Sequence, residues 1–280
     1  MFSPIAFFSE VDLGPVGFIA TGGLTQSYTI GPDVYMSHTF LSSDDFVVVS
    51  GSAMVEFLLV AGGGGGSGVV HSGGGGAGGS FTASSTVTTG TYPVIVGAGG
   101  TTVLDNAGTK GGTSSFNGTA STGGGGGAGA ANDTGRNGGS GGAPHTDQTP
   151  AGTGISGQGN NSGLGRINPW YSGGGGGKSA IGGNGTTTPT AKGGDGGAGW
   201  ANNYRTGSNI DYAGGGGGGT DRATLGGTGG LGGGGNGGRN NVNATAGATN
   251  TGGGGGGRGV GSSIGGNGGS GIVVIRYKIN

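Results

Sequence analysis

Alternation of side-chain character is confined to a few stretches of this chain. Early on, VGFIA, DVYMSHTF and DDFVVVS combine β-branched and aromatic residues and are broken by Gly14-Pro15 and Gly31-Pro32, which predicts short strands and turns. VEFLLV at 55–60, the pair GSFTASSTV and TYPVIVGAG near 81–99, and GIVVIRYKI at 271–279 predict further strands. Between them glycine takes over: residues 1–60 hold 6 glycines, 62–271 hold 81, and 272–280 none. The organisation expected is a small β-type module over 1–50 and a glycine-rich domain over 51–280 with loops and a C-terminal strand.

Seven runs of four or more glycines begin at Gly62, Gly73, Gly123, Gly173, Gly214, Gly232 and Gly252. Elsewhere in the zone single side chains recur every third residue beside GlyGly pairs: Asn137, Ser140, Ala143; Ile181, Asn184; Lys192, Asp195, Ala198; Leu225, Thr228, Leu231; Asn236, Arg239; Ile264, Asn267, Ser270. Period three fits neither an α-helix nor a strand, but it is the repeat of the polyproline II conformation. The fold expected is therefore mostly β and irregular, a bundle of polyglycine II helices framed by short strands. A flexible Gly/Ser linker is the competing reading, and a linker has no reason to keep a GlyGly-x register through six separate segments.

Composition narrows the class. Glycine makes up 87 of 280 residues but proline only 8, and no strict Gly-X-Y repeat is present, which excludes collagen. Net charge is only -1, with 8% of residues charged, too little to keep a disordered chain of this length in solution. Cysteine is absent, so disulfides and thiolate metal sites are excluded. The first basic residue is Lys110, which leaves no positive region for a secretory signal, and no apolar run reaches the length of a membrane span. The eleven basic residues are scattered singly, so no nucleic-acid partner is expected.

Catalytic motifs have to be judged against a background in which glycine patterns arise by chance. SGGGGGKS at 172–179 lacks the first glycine of a phosphate-binding loop and the strand and helix that flank one. His38, His71 and His145 have no metal-ligand spacing, and the aspartates after Gly62 form no selectable acid–base pair. No enzyme, cofactor or metal is expected. The aromatic residues carry more. All nine phenylalanines lie at or before Phe116, whereas Trp170, Tyr171, Trp200, Tyr204 and Tyr212 fall in segments rich in Ser, Asn, Thr and Arg, the composition of a surface that binds partners. These five, with Arg166 and Arg205, are the candidate receptor-binding residues.

The frame VEFLLVAGGGGG, SFTASSTVTTGTYPVIVGAGG, GGTSSF, the glycine runs and the closing GGNGGSGIVVIRY resembles the glycine-rich domain of bacteriophage tail-fibre and other virion proteins. It also resembles the polyglycine-sandwich distal tip adhesins of T4-like phages. The resemblance implies a virion structural protein exposed on the particle surface, most simply a tail-fibre or tip adhesin. Its N-terminal module, with Phe2, Phe7, Phe8 and Phe18, would attach to other virion proteins, and its loops would contact a protein or glycan receptor on the bacterial outer surface without membrane insertion. A capsid decoration or head-fibre protein is the alternative. An ice-binding protein is a remote one, since only Thr228 among the period-three positions is threonine.

Overall fold

The computed structural model describes residues 17–129, 135–146, 149–167, 170–187, 191–221, 225–261 and 263–280. Ten strands are present among the described residues: β1 Ile19–Thr21, β2 Leu24–Ile30, β3 Asp33–Phe40, β4 Asp44–Val60, β5 Ser80–Ile95, β6 Ser114–Phe116, β7 Thr119–Ser121, β8 Trp200–Asn202, β9 Ile210–Tyr212 and β10 Ile272–Lys278. Eight form one antiparallel sheet in the order β2-β3-β10-β4-β5-β6-β7, with β1 on the N-terminal half of β4. The last strand of the chain thus inserts between β3 and β4, which ties both ends of the described chain to one sheet.

Sequence patterning explains that sheet. In β4, Val55, Phe57 and Leu59 face one side, while Leu58 and Val60 face the other. The first set joins Phe40, Phe46, Val48, Phe116, Val273 and Ile275 in a core from which water is almost fully excluded. Phe46 and Val48 reach the same core as Phe57 although they lie on the same strand. The register shifts between Val48 and Ser52 beside Gly51, whose φ is +80°, and across this bulge the core-facing positions change from even to odd numbers. The second set packs against Ala77, Tyr212, Ala213, Ile272 and Val274 beneath the β8–β9 hairpin.

Beyond the sheet, the chain runs outward from Val60 along 61–67, turns at 68–71, and returns along 72–79 into β5. Further segments traverse the same body to and fro before 264–271 leads back into β10. The expected bundle of polyglycine II helices is not found: no helix occurs among the described residues, and the regular elements are antiparallel strands. Nor are the framing strands all short, since β4 has 17 residues and β5 has 16.

Period three belongs instead to the hydrogen-bond partners. Gly62, Gly65 and Gly68 donate to the carbonyls of Gly112, Thr109 and Asn106; Gly63 and Gly66 donate to Gly269 and Gly266; Gly64 and Ser67 donate to Gly76 and Gly73. Successive N–H groups therefore address three different neighbouring segments in turn. These bonds satisfy the backbone between distant parts of the chain, at N···O distances of 2.8–3.3 Å.

Where glycine runs pack on one another, the space between segments admits no side chain. A Cβ at Gly64 would lie 2.1 Å from the Gly125 carbonyl oxygen, and one at Gly216 would lie 2.1 Å from that of Gly255. Uninterrupted glycine runs such as 62–66, 173–177, 214–219 and 252–257 are buried throughout. The GlyGly-x segments lie at the surface, where Ile181, Leu225, Leu231, Asn236, Ile264 and Asn267 point outward. Ser140 and Ala143 are the exceptions, fully buried because their side chains are small.

An outer segment lacks a neighbour for every third N–H, and asparagine or a similar residue supplies the acceptor. Asn137 Oδ1 accepts from Thr153 N–H, Asn184 from Leu164, Asn236 from Gly229, Asn243 from Ile264 and Asn267 from Thr102, all at 2.8–3.0 Å. Asp195 does the same for Thr228 at 2.7 Å. The boundary at residue 50 taken from the sequence lies inside β4, whose two halves share one core.

Candidate functional site

The to-and-fro path gives the glycine body two ends, one at the sheet and one opposite it, and the candidate aromatics divide between them. Trp200 and Tyr212 pair across β8 and β9, with Tyr212 buried and Trp200 packed against the Leu58 and Val60 cluster. Burial pushes the Tyr212 phenol above its ordinary value, against a smaller opposing pull from Arg205. Lys178 donates to the Gly157 carbonyl and its ammonium lies 5.4 Å from the Trp200 ring centre. Burial lowers the Lys178 pKa.

Tyr204 and Arg205 lie in the hairpin loop that rests on the sheet. The Arg276 guanidinium from β10 sits 3.7 Å from the Tyr204 ring and 4.5 Å from that of Tyr35, between the hairpin and the strand. Its Nε donates to Glu56 Oε2 at 2.8 Å, and Tyr204 Oη donates to the other Glu56 oxygen at 3.2 Å. Burial opposes the charge of Arg276, but the bonds to Tyr28 and Glu56 outweigh it and raise its pKa. Tyr28 Oη donates to the Tyr204 carbonyl, and Ser37 Oγ donates to that of Arg205. Trp200, Tyr204, Arg205 and Tyr212 therefore fasten the glycine body to the sheet.

Trp170, Tyr171 and Arg166 lie at the opposite end. Tyr171 is buried and its backbone pairs with Arg166 and Thr220, which closes the turn that carries Trp170. The Trp170 ring stacks on His145 at 5.0 Å and lies nearly parallel to His71 at 6.3 Å. His71 Nε2 is 3.4 Å from Asp221 Oδ1. Burial lowers the His71 pKa, partly offset by Asp221 and reinforced by Arg258. Arg258 in turn donates to the Gly68 carbonyl at 2.8 Å and meets Asp105 at 3.1 Å. Six separate turns thus converge on one surface. On the flank, a groove of about 550 Å³ is lined by Pro150, Asn161, Leu164, Ile181 and Asn184.

His71 and His145, set aside as metal ligands, and Asp221 and Arg258 are outside the receptor-binding set expected from the sequence, although each lies just outside a glycine stretch. Counting traverses from Val60 would have found them, because alternate ends of successive segments must lie at the same end of the body. Phe18 turns inward, its ring 4.7 Å from Tyr277 in an edge contact within the sheet core. Phe2, Phe7 and Phe8 lie outside the described residues. Among the described residues no group of three His, Asp or Glu side chains could hold a metal ion, and no helix is long and apolar enough to cross a membrane.

A sheet closed by its own last strand and prolonged into a backbone-bonded glycine body is the architectural class these observations define. A family model described as a glycine-rich domain matches residues 41–278, and the chain belongs to that family. No curated protein matches the chain.

Proposed function

We propose that this is a bacteriophage virion protein, a tail-fibre or tip adhesin whose glycine body holds receptor-contacting turns away from the point of attachment. The observation that carries this reading is the convergence of six turns around Trp170 at the end opposite the sheet. Turns on a rigid frame are where recognition residues can vary without disturbing the fold. Trp170 and Arg166 are the contacts of this surface, and the buried Tyr171 acts through the turn it closes. The sheet end, with β1, faces the other virion proteins. Trp200, Tyr204, Arg205 and Tyr212 serve the frame.

A central interface aromatic commonly contributes about 2 kcal/mol or more, roughly thirtyfold in affinity. The Trp170→Ala protein should assemble into particles normally and fail to adsorb to the host. Trp200→Ala should lower thermal stability before it changes adsorption. Particles that adsorb normally with Trp170→Ala, although the protein is incorporated, would overturn the adhesin reading in favour of a capsid decoration protein. Competition by outer-membrane protein against lipopolysaccharide separates a protein receptor from a glycan.

A further inference from the structure

Five Asn-Gly sequences occur in the chain, at Asn117, Asn137, Asn184, Asn236 and Asn267. Asn-Gly is the pair most open to backbone attack on its own side chain, because glycine offers no steric hindrance to the attacking nitrogen. The structure treats one of the five differently.

At the four sites in the glycine body both reacting groups are held. The side-chain oxygens of Asn137, Asn184, Asn236 and Asn267 each accept a backbone N–H at 2.8 Å. The nitrogen that would attack is also engaged. Gly138 donates to Thr153, Gly185 to Leu164, Gly237 to Gly227 and Gly268 to Gly100, at 2.7–3.2 Å. Ring closure would have to break both bonds and lift an outer segment off its neighbour. Asn117 and Gly118 instead form the two-residue turn between β6 and β7, with φ of 45° and 76°. Asn117 is exposed, and its Nδ2 donates to Ser85 Oγ at 3.1 Å. The Gly118 N–H donates to no partner among the described residues.

We propose that Asn117 is the site of spontaneous deamidation in the folded protein, and that the bonds of the glycine body protect the other four. The Gly118 nitrogen loses its proton to solvent base and attacks Asn117 Cγ. A C–N bond forms, the Cγ–Nδ2 bond breaks, and ammonia leaves after taking up a proton, which yields a succinimide. Water then adds to either ring carbonyl and opens the ring to aspartate or isoaspartate. The net change is amide plus water to acid plus ammonia. It places a negative charge, and in the isoaspartyl product an extra backbone methylene, beside the buried Phe116 of the main core.

Trypsin separates all five sites, because they fall in the peptides 111–136, 137–166, 179–192, 223–239 and 259–276. The full-length protein is held folded in mildly alkaline buffer, sampled over time, then unfolded in acid, digested and weighed by mass spectrometry, with fragmentation to place each acid. Peptide 111–136 should gain acid at Asn117 roughly tenfold or more faster than the other four gain it at their Asn-Gly sites, since misplacing a nucleophile costs rates of this order. Incubation in denaturant should bring all five within a few fold of one another. Similar rates at all five sites in the folded protein would overturn the proposal. So would acid that appears only at Asn132 within 111–136, or an Asn117 as inert as the other four when folded yet reactive when unfolded.

Discussion

The sheet and the glycine body bury backbone in opposite ways. In the sheet, Phe57, Phe46, Leu59 and Ile275 exclude water with side chains, and the hydrogen-bonded ladder is carried along on a packed surface. In the glycine body the interior holds almost no side chain, and what replaces hydrocarbon is a lattice of peptide groups bonded in three directions. One region tolerates a change of side-chain shape and depends on apolar area. The other tolerates no added atom and depends on the completeness of its bonds. Each such bond contributes only about 1 kcal/mol net, but an unmade one in a dry interior costs about as much or more. The glycine lattice is therefore stable only when nearly every donor is matched.

The sharpest way to break this comparison is to put a side chain in the lattice. Gly216→Val places its Cβ 2.1 Å from the Gly255 carbonyl oxygen, a backbone atom that cannot step aside. The expected cost exceeds about 5 kcal/mol, beyond most single substitutions, and the protein should fail to reach the folded state by circular dichroism and thermal melting. Every glycine from Gly214 to Gly219 meets a backbone oxygen at 2.4 Å or less, so no position in this run should be permissive. A Gly216→Val protein with unchanged melting temperature would show that the lattice is looser than described.

Removing atoms from the sheet core comes next in size. Phe57→Ala should cost about 3–5 kcal/mol in denaturant titration, as a buried aromatic commonly does, while leaving a folded molecule if the starting stability allows. The smallest effect sharpens the contrast by pH. His38 is buried in the sheet, donates through Nδ1 to the Gly22 carbonyl at 2.7 Å and accepts at Nε2 from the Tyr277 hydroxyl at 3.2 Å. Burial lowers its pKa below the ordinary 6.5, the Gly22 bond opposing in part. Below that ordinary value the unfolded chain binds a proton that the folded chain resists, so stability falls as pH drops and levels off below the folded pKa. The melting temperature should fall from neutral pH to about pH 5, and less so in His38→Asn. His71 at the far end shifts in the same direction, so His71→Asn should remove a separate part of the slope.

Much of this architecture was visible in the residues. The alternation in VEFLLV and IVVIRY marked strands that the sheet contains. DDFVVVS and VEFLLV, expected as separate strands, are joined through Gly51 in β4, and GSFTASSTV and TYPVIVGAG through Gly90 in β5, because a glycine at positive φ can carry a ladder past an irregularity without ending it. Period three was real, yet it recorded which neighbour each N–H addresses rather than a helix. Closeness in sequence does not put the five aromatics on one surface. Thirty residues from Trp170 to Trp200 include odd numbers of traverses, and these carry the two tryptophans to opposite ends. What composition could not supply was the junction, where Arg276, Glu56, Tyr28, Tyr35 and Tyr204 come from four distant parts of the chain.

The bare interior of the glycine body also sets how the molecule answers to temperature. Unfolding a hydrocarbon core raises heat capacity, whereas exposing peptide groups lowers it. A body whose interior is peptide has little of the first term and much of the second, so its free energy of unfolding changes almost linearly with temperature instead of following a steep dome. The sheet core loses part of its driving force toward the cold. The glycine body does not, and in a chilled molecule it becomes the firmer of the two.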